Sequence, residues 1–118
     1  MDTIEAIAAL AALAQETRLE TFRLLVRHEP VGVAAGELAR LIEVPQNTMS
    51  AHLAVLARAG LVRGERRSRS IVYRAELGRL RDVTQFLVED CCGGHPEACA
   101  PLVSDFAPRC PSKESASG

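Results

Sequence analysis

The sequence has few aromatic residues and no long apolar segment. Aromatic residues make up 3% of its 118 residues and tryptophan is absent, so a core must be built from alanine, leucine and valine, which favours closely packed helices. The longest strongly apolar run, Ile7 to Ala14, is far shorter than the roughly 20 residues that span a bilayer. No basic segment precedes it, as one would in a secretion signal. We therefore expect a small, mainly helical protein of the cytoplasm without a membrane partner.

Cysteine is absent from the first 90 residues. The four cysteines are Cys91, Cys92, Cys99 and Cys110. Disulfide bonds that stabilise a small secreted domain are spread along its chain. The clustering of these cysteines therefore indicates metal or redox chemistry rather than a disulfide framework. Cys110 lies among prolines, apart from the other three, and we expect it to be dispensable.

A change in composition divides the chain into two parts. The length suffices for a single modest core, and the periodic apolar residues end near residue 90. Beyond that point proline, glycine and serine recur and leave little capacity for regular structure. We predict a folded domain over residues 1–90 and a largely irregular, cysteine-containing tail over residues 91–118.

Apolar spacing predicts five helices and one hairpin. The helices cover residues 3–14, 16–28, 36–42, 46–59 and 77–90. After Gly60 the period becomes extended over residues 61–66 and 69–74, with a turn at Arg67 and Ser68. Two helices that meet at a compact turn, followed by a hairpin, are the layout of a winged helix-turn-helix. We therefore predict a mainly α fold with a small β-hairpin.

The same spacing predicts which side chains of the second and fourth helices face the core. They are Leu19, Phe22, Leu24, Leu25 and Val26 in the second helix, and Met49, Leu53, Leu56 and Ala57 in the fourth. The residues left outside the core around the first turns of the fourth helix are Gln46, Asn47, Thr48, Ser50, Ala51 and His52. Short side chains at the positive N-terminal pole of a helix suit contact with phosphates and base edges, so we predict that these six residues contact DNA. The alternative for Thr48 or Ser50 is ordinary N-terminal capping, and the alternative for His52 is a surface or packing histidine.

The net charge of −1 conceals a basic middle segment. Residues 1–45 contain four arginines and seven acidic residues, a net charge of −3. Residues 46–74 contain six arginines and one acidic residue, a net charge of +5. Residues 75–118 contain three arginines, one lysine and seven acidic residues, a net charge of −3. The arginines of the predicted hairpin are Arg63, Arg66, Arg67 and Arg69. Their guanidinium groups can contact phosphate or enter the minor groove. A solvated hairpin would have the same charge, but together with the polar helix the pattern indicates double-stranded DNA as the partner.

Two segments resemble the arsenic-repressor (ArsR/SmtB) family of winged-helix metalloregulators. They run from Ala12 to Leu19, which includes Arg18, and from Pro45 to Val62. The resemblance extends over about residues 5–88. It implies a homodimer joined through the first and last helices, which represses transcription from a two-fold symmetric operator and loses DNA affinity when a metal or metalloid binds. Such a regulator is not an enzyme and needs no cofactor to bind DNA.

The inducer site departs from two patterns of the family. The Cys-Val-Cys ligands that several members carry before the recognition helix are missing from residues 37–43, and the last helix offers Asp82 but no histidine for a zinc-sensing site. The segment that begins at Cys91 instead resembles the C-terminal arsenite site of other members. Trivalent arsenic takes three thiolates. The resemblance therefore implies Cys91, Cys92 and Cys99 as ligands of As(III), the inducer.

Other roles for these cysteines stay open. Together with His95 they would make a Cys3His set for zinc, and cadmium or lead could also take the thiolates. Oxidation to disulfides would give a redox switch without a metal. A thiol enzyme would need a residue that orients His95 as a base, and none is evident. A constitutive DNA-binding module would not respond through the cysteines at all.

Overall fold

The computed structural model describes residues 1–88. The helices are α1 (Thr3–Leu13), α2 (Glu16–Arg27), α3 (Ala35–Ile42), α4 (Gln46–Arg58) and α5 (Leu77–Val88), and the strands are β1 (Val33–Ala34), β2 (Val62–Arg67) and β3 (Ser70–Ala75). The predicted mainly α fold with a β-hairpin is confirmed. The ends of the first four helices agree with the prediction to within one residue, and the predicted end of the fifth lies outside the described residues.

The chain divides into two units, residues 1–83 and residues 84–118. The first unit holds the sheet, the first four helices and the beginning of α5. Of the second unit, the described residues 84–88 continue α5 to Val88. The predicted boundary at residue 90 lies outside the described residues and stays a prediction.

The three strands form an antiparallel sheet in the order β1-β3-β2. The turn between β2 and β3 is Ser68-Arg69 rather than the predicted Arg67-Ser68, because Arg67 still pairs with Ser70 and Ser68 adopts a left-handed φ of 56°. The sequence did not indicate β1. Its two residues, which pair with Val72 and Tyr73 of β3, are too few for an alternating pattern to be visible.

The core lies between the helices and the base of the sheet. Its largest fully buried side chains are Leu25, Leu38, Met49, Leu53, Leu56, Leu61 and Thr21. Burial of Met49, Leu53 and Leu56 is confirmed, whereas Ala57 is exposed and Ala59 is buried instead. In α2, Leu19 is wrongly predicted and is 43% exposed. Thr21 is buried because its hydroxyl donates to the carbonyl oxygen of Thr17 at 2.8 Å, which satisfies its hydrogen-bonding group without water.

Gly60 ends α4 and leaves room for a side chain of α5. It adopts a φ of +80°, a conformation that side chains with a Cβ rarely take. A Cβ at this position would lie 2.5 Å from Nε of Arg79 in α5. Gly60 therefore both stops the helix and leaves room for the Arg79 guanidinium.

α1 presents its larger apolar side chains to solvent. The buried residues of this helix are Ala6, Ala9 and Ala12, whereas Ile4 is 78% and Ile7 is 59% exposed. The alanines allow close packing against the rest of the fold. An exposed isoleucine pair on one helix is the kind of surface that a protein partner covers. Within residues 1–88, none of the helices has the length and apolar character to cross a membrane.

Candidate nucleic-acid interface

α4 separates a buried apolar side from an exposed polar side. Five of the six residues predicted to contact DNA from this helix are exposed: Gln46, Asn47, Thr48, Ser50 and Ala51. Met49 and Leu53 on the opposite side are 0% and 1% exposed, which fixes the helix against the core. The polar side chains are therefore held on a rigid element and project away from the protein.

The N-terminus of α4 is open to a ligand. Its N-cap is Pro45, no side chain caps it, and its first turn contains no acidic residue. Thr48 and Ser50 therefore do not act as caps. In α1, by contrast, Asp2 and Glu5 form a capping box. Uncapped amide groups and the positive pole of the helix dipole can bind a phosphate oxygen.

His52 lies on a different side of α4 and contacts α2. The side chain is half-buried, and Nη1 of Arg18 donates to its Nδ1 at 3.4 Å, because an arginine can only donate. Nε of Arg18 also donates to the carbonyl oxygen of Ala12 at 2.6 Å. Arg18 thus joins the end of α1 to α4, and His52 helps to position the helix.

Strand alternation distributes the charged side chains of the β2–β3 hairpin (residues 62–75), which we call the wing, between two faces. Arg63, Glu65 and Arg67 share one face. Arg66 lies on the other, where the register places it opposite Ile71. The wing therefore has two faces that differ in charge.

The first face holds an ion-pair chain formed by Glu76, Arg63, Glu65 and Arg67. Nη1 of Arg63 donates to Oε2 of Glu76, and its Nη2 donates to Oε2 of Glu65, both at 3.0 Å. Nη2 of Arg67 donates to Oε1 of Glu65 at 3.0 Å. The hydrogen bonds from Arg67 and then from Arg63 lower the pKa of the Glu65 carboxyl group from its ordinary value. Positive and negative charges alternate, so these four side chains together have no net charge.

Other arginines of the basic segment lack a carboxylate partner within residues 1–88. These unpaired arginines are Arg58 at the end of α4 and Arg66 and Arg69 in the wing. Arg74 is paired, since its Nη2 donates to Oε1 of Glu29 at 2.8 Å. Half of the arginines in residues 46–74 are thus neutralised by carboxylates. Fewer positive charges are therefore available to a ligand than the net charge of the segment suggested.

The structure thus divides the predicted DNA-contacting residues into two groups. Five in α4, together with Arg66 and Arg69, are exposed and make no ion pair in the described part of the chain, while His52, Arg63 and Arg67 are engaged with protein groups. Sequence reasoning missed the role of Glu65. Its position two residues from Arg63 and from Arg67 on a strand was the available signal, because such residues share a face.

Comparison with known proteins finds similarity to helix-turn-helix transcriptional regulators. A helix-turn-helix domain model matches residues 13–65. The transcriptional activator HlyU of Vibrio cholerae is 29% identical over 86 residues, which are 73% of this chain and 77% of that protein. Its solved structure aligns with a TM-score of 0.60 at 26% identity over 77% of this chain and 99% of that one.

Two further solved structures match over more than the helix-turn-helix. An ArsR-like transcriptional regulator from Rhodococcus sp. RHA1 aligns with a TM-score of 0.67 at 28% identity, covering 88% of this chain and 93% of that one. The chain has a winged helix-turn-helix fold and is similar to transcriptional regulators of the ArsR type. A homodimeric winged helix-turn-helix DNA-binding domain from Mycobacterium bovis aligns at 26% identity with a TM-score of 0.59, over 77% of this chain and 84% of that one.

The predicted inducer ligands Cys91, Cys92 and Cys99 lie outside the described residues, as does His95. Within residues 1–88, no three or more histidine, cysteine, aspartate or glutamate side chains are grouped so that they could hold a metal ion. The winged helix-turn-helix fold over these residues therefore carries the exposed surfaces described above, and the inducer site remains a prediction from the sequence.

Proposed function

We propose that the protein is a homodimeric repressor that binds operator DNA through α4 and the wing and releases it when trivalent arsenic binds its C-terminal cysteines. The observation that carries the DNA-binding part is the exposure of five residues on a helix whose other side is buried: Gln46, Asn47, Thr48, Ser50 and Ala51. Unpaired Arg66 and Arg69 in the wing of the same fold supply the charge. No described cluster of side chains suggests a competing use of this surface.

In this proposal α4 enters the major groove with its N-terminal end first. Amide side chains such as that of Asn47 can pair with an adenine edge, and the small Ala51 can contact a thymine methyl group. The uncapped amide N–H groups of the first turn can donate to a phosphate oxygen. Arg66 and Arg69 then contact the backbone or a narrow minor groove, which positions the protein without reading each base.

A second copy of the chain completes the proposed regulator. Ile4 and Ile7 of α1 and Leu77 of α5 are exposed apolar side chains at the two helices through which the family resemblance implies dimerisation. The homodimeric domain of Mycobacterium bovis supports the same assembly. Two-fold symmetry would place two copies of α4 roughly 34 Å apart, one turn of DNA, so the operator would have two inverted half-sites.

The arsenic part of the proposal rests on the sequence. Thiolates of Cys91, Cys92 and Cys99 match the count that trivalent arsenic prefers. Gly93 and Gly94 follow the adjacent cysteine pair, and the backbone freedom of glycine would let the two thiolates converge on one ion. Binding would then reshape the end of the helix that joins the two subunits, and the operator-bound dimer would become the less favourable state.

Release of a labelled DNA fragment from upstream of the coding sequence tests this proposal. We expect arsenite or methylarsenite to release the DNA from the parent protein. Release should require an arsenical concentration at least about tenfold higher in each of Cys91→Ser, Cys92→Ser and Cys99→Ser, because one thiolate of three is lost. Cys110→Ser is the matched control and should respond as the parent does. If all four variants release DNA at the parental arsenite concentration, the proposed site is wrong.

The same assay separates the alternative inducers. Release by zinc, cadmium or lead that is lost in His95→Ala would favour the Cys3His site over arsenic. Release by peroxide that a thiol reductant reverses would favour a redox switch. A promoter fused to a reporter decides the direction of regulation: a repressor gives more transcript when the protein is deleted, and an activator gives less.

A further inference from the structure

We infer that Glu65 limits the DNA affinity of the wing, because its carboxylate binds the same guanidinium groups that a DNA phosphate would bind. The inference rests on the proposed DNA-binding function and adds a residue that sets its strength. Glu65 is not among the residues that would touch DNA. It would act through Arg67 and Arg63, as a positioning residue.

The geometry of Glu65 resembles that of a bound phosphate. Its two carboxylate oxygens point to two different arginines, Oε1 to Arg67 and Oε2 to Arg63, each at 3.0 Å. Phosphates and carboxylates both present anionic oxygen acceptors that arginine binds by charge-assisted hydrogen bonds. While Glu65 holds these groups, they cannot also neutralise a phosphate.

The contacts of Glu65 are exposed enough for DNA to displace them. The side chains of Glu65, Arg63 and Arg67 are 33%, 47% and 53% exposed. Ion pairs in such solvent-exposed positions contribute little to stability. A DNA phosphate can therefore replace Glu65 as the partner of these arginines. Breaking the ion pair with Glu65 reduces the binding free energy gained from each arginine–phosphate contact.

The two arginines differ in how firmly they are held. Arg67 pairs only with Glu65 among the described carboxylates, whereas Arg63 also pairs with Glu76 at 3.0 Å. Removing the charge of Glu65 alone should thus free Arg67 and leave Arg63 bound to Glu76. Removing both carboxylate charges should free both arginines.

The competition persists across the neutral pH range. The arginines lower the pKa of the Glu65 carboxyl group from its ordinary value, so the group remains ionised wherever an ordinary glutamate is ionised. The pairing is present above that ordinary value and is lost only as the pH falls through the lowered one. A change near neutral pH should therefore not alter the effect of Glu65.

The test is DNA affinity as a function of salt for Glu65→Gln, which keeps the shape of the side chain. We expect about tenfold tighter binding to the upstream DNA fragment, and a salt slope steeper by roughly 2 for the dimer, since one more phosphate contact forms in each subunit. Glu65→Gln/Glu76→Gln should steepen the slope by roughly 4. Glu20→Gln, at an exposed position on α2 that makes no ion pair within residues 1–88, is the charge-matched control and should change affinity by less than about twofold.

A double-mutant cycle shows whether Glu65 acts through the arginine. In an Arg67→Ala background, Glu65→Gln should lose most of its effect on affinity, because the group it would free is absent. An equal gain in both backgrounds would mean a general charge effect and would overturn the inference. So would an unchanged salt slope in Glu65→Gln. If the parent protein itself fails to bind the fragment at low salt, the proposed function fails instead.

Discussion

Ala51→Glu should weaken binding to the operator by about a hundredfold or more while the protein stays folded. Ala51 is exposed on the α4 face proposed to enter the major groove. A carboxylate at this position would be repelled by the negative potential of the groove in both half-sites, and the contact made by the alanine would be lost. Loss of a base contact costs about 1–3 kcal/mol of binding free energy for each base pair involved. Fluorescence anisotropy with the upstream DNA fragment measures the loss.

A matched substitution on the same helix separates this effect from a general one. Ala57 is also exposed on α4 but lies near its C-terminal end, which leaves the groove in a helix-turn-helix complex. Ala57→Glu should weaken binding by less than about fivefold, since long-range repulsion is screened by salt. Both variants should unfold at the parental temperature, because glutamate and alanine have similar helix propensities. Equal losses in the two variants would show that α4 is not inserted by its N-terminal end.

Removing the two unpaired arginines of the wing should also weaken DNA binding strongly and reduce its dependence on salt. Arg66→Ala/Arg69→Ala deletes side chains without an ion-pair partner in the described part of the chain. If each contacts one phosphate in each subunit, the dimer loses four contacts, and the slope of log affinity against log salt should become shallower by roughly 3 to 4. At physiological salt we expect about a hundredfold weaker binding.

Arg23→Ala/Arg27→Ala provides the control for the wing. These exposed arginines of α2 make no ion pair within residues 1–88, so the substitutions remove the same charge. They lie outside α4 and the wing, and the salt slope should stay at the parental value. If the α2 variant reduces the slope as much as the wing variant does, binding depends on total charge and the wing has no specific role.

The sequence predicted α4 well because two independent patterns coincide there. Met49, Leu53 and Leu56 recur at helical spacing and are buried. The polar side chains of the first turns are exposed as expected, except that of His52, which is half-buried. The hairpin was predicted for a similar reason, since alternation after Gly60 is long enough to be distinguished from a helix. Only the turn was placed one residue early, because Ser68 takes a left-handed conformation without a glycine to signal it.

What the sequence could not predict depends on partners that are distant in the chain. Apolar periodicity identified α1 but did not reveal that Ile4 and Ile7 would be exposed, since a stripe facing a second subunit has the same spacing as one facing the core. The contact between Arg18 and His52 joins residues 34 positions apart. It depends on how α2 packs on α4, which no local pattern encodes.

The charge of the wing shows the same limit. Counting residues gave the basic segment a charge of +5, which correctly drew attention to the wing. The count could not show that Arg63 and Arg67 would be occupied by Glu65, because pairing requires the register of β2 as well as its composition. Only the arginines outside these pairs provide charge that DNA can reach without competition.

A footprint of the parent protein on its upstream DNA tests the central claim most directly. A homodimer that inserts two copies of α4 should protect two inverted half-sites whose centres are about 10 base pairs apart, one turn of the double helix. Protection should appear with one dimer bound for each pair of half-sites. A single protected patch without an inverted repeat, or no protection even at low salt, would contradict a dimeric regulator that reads DNA through α4 and the wing.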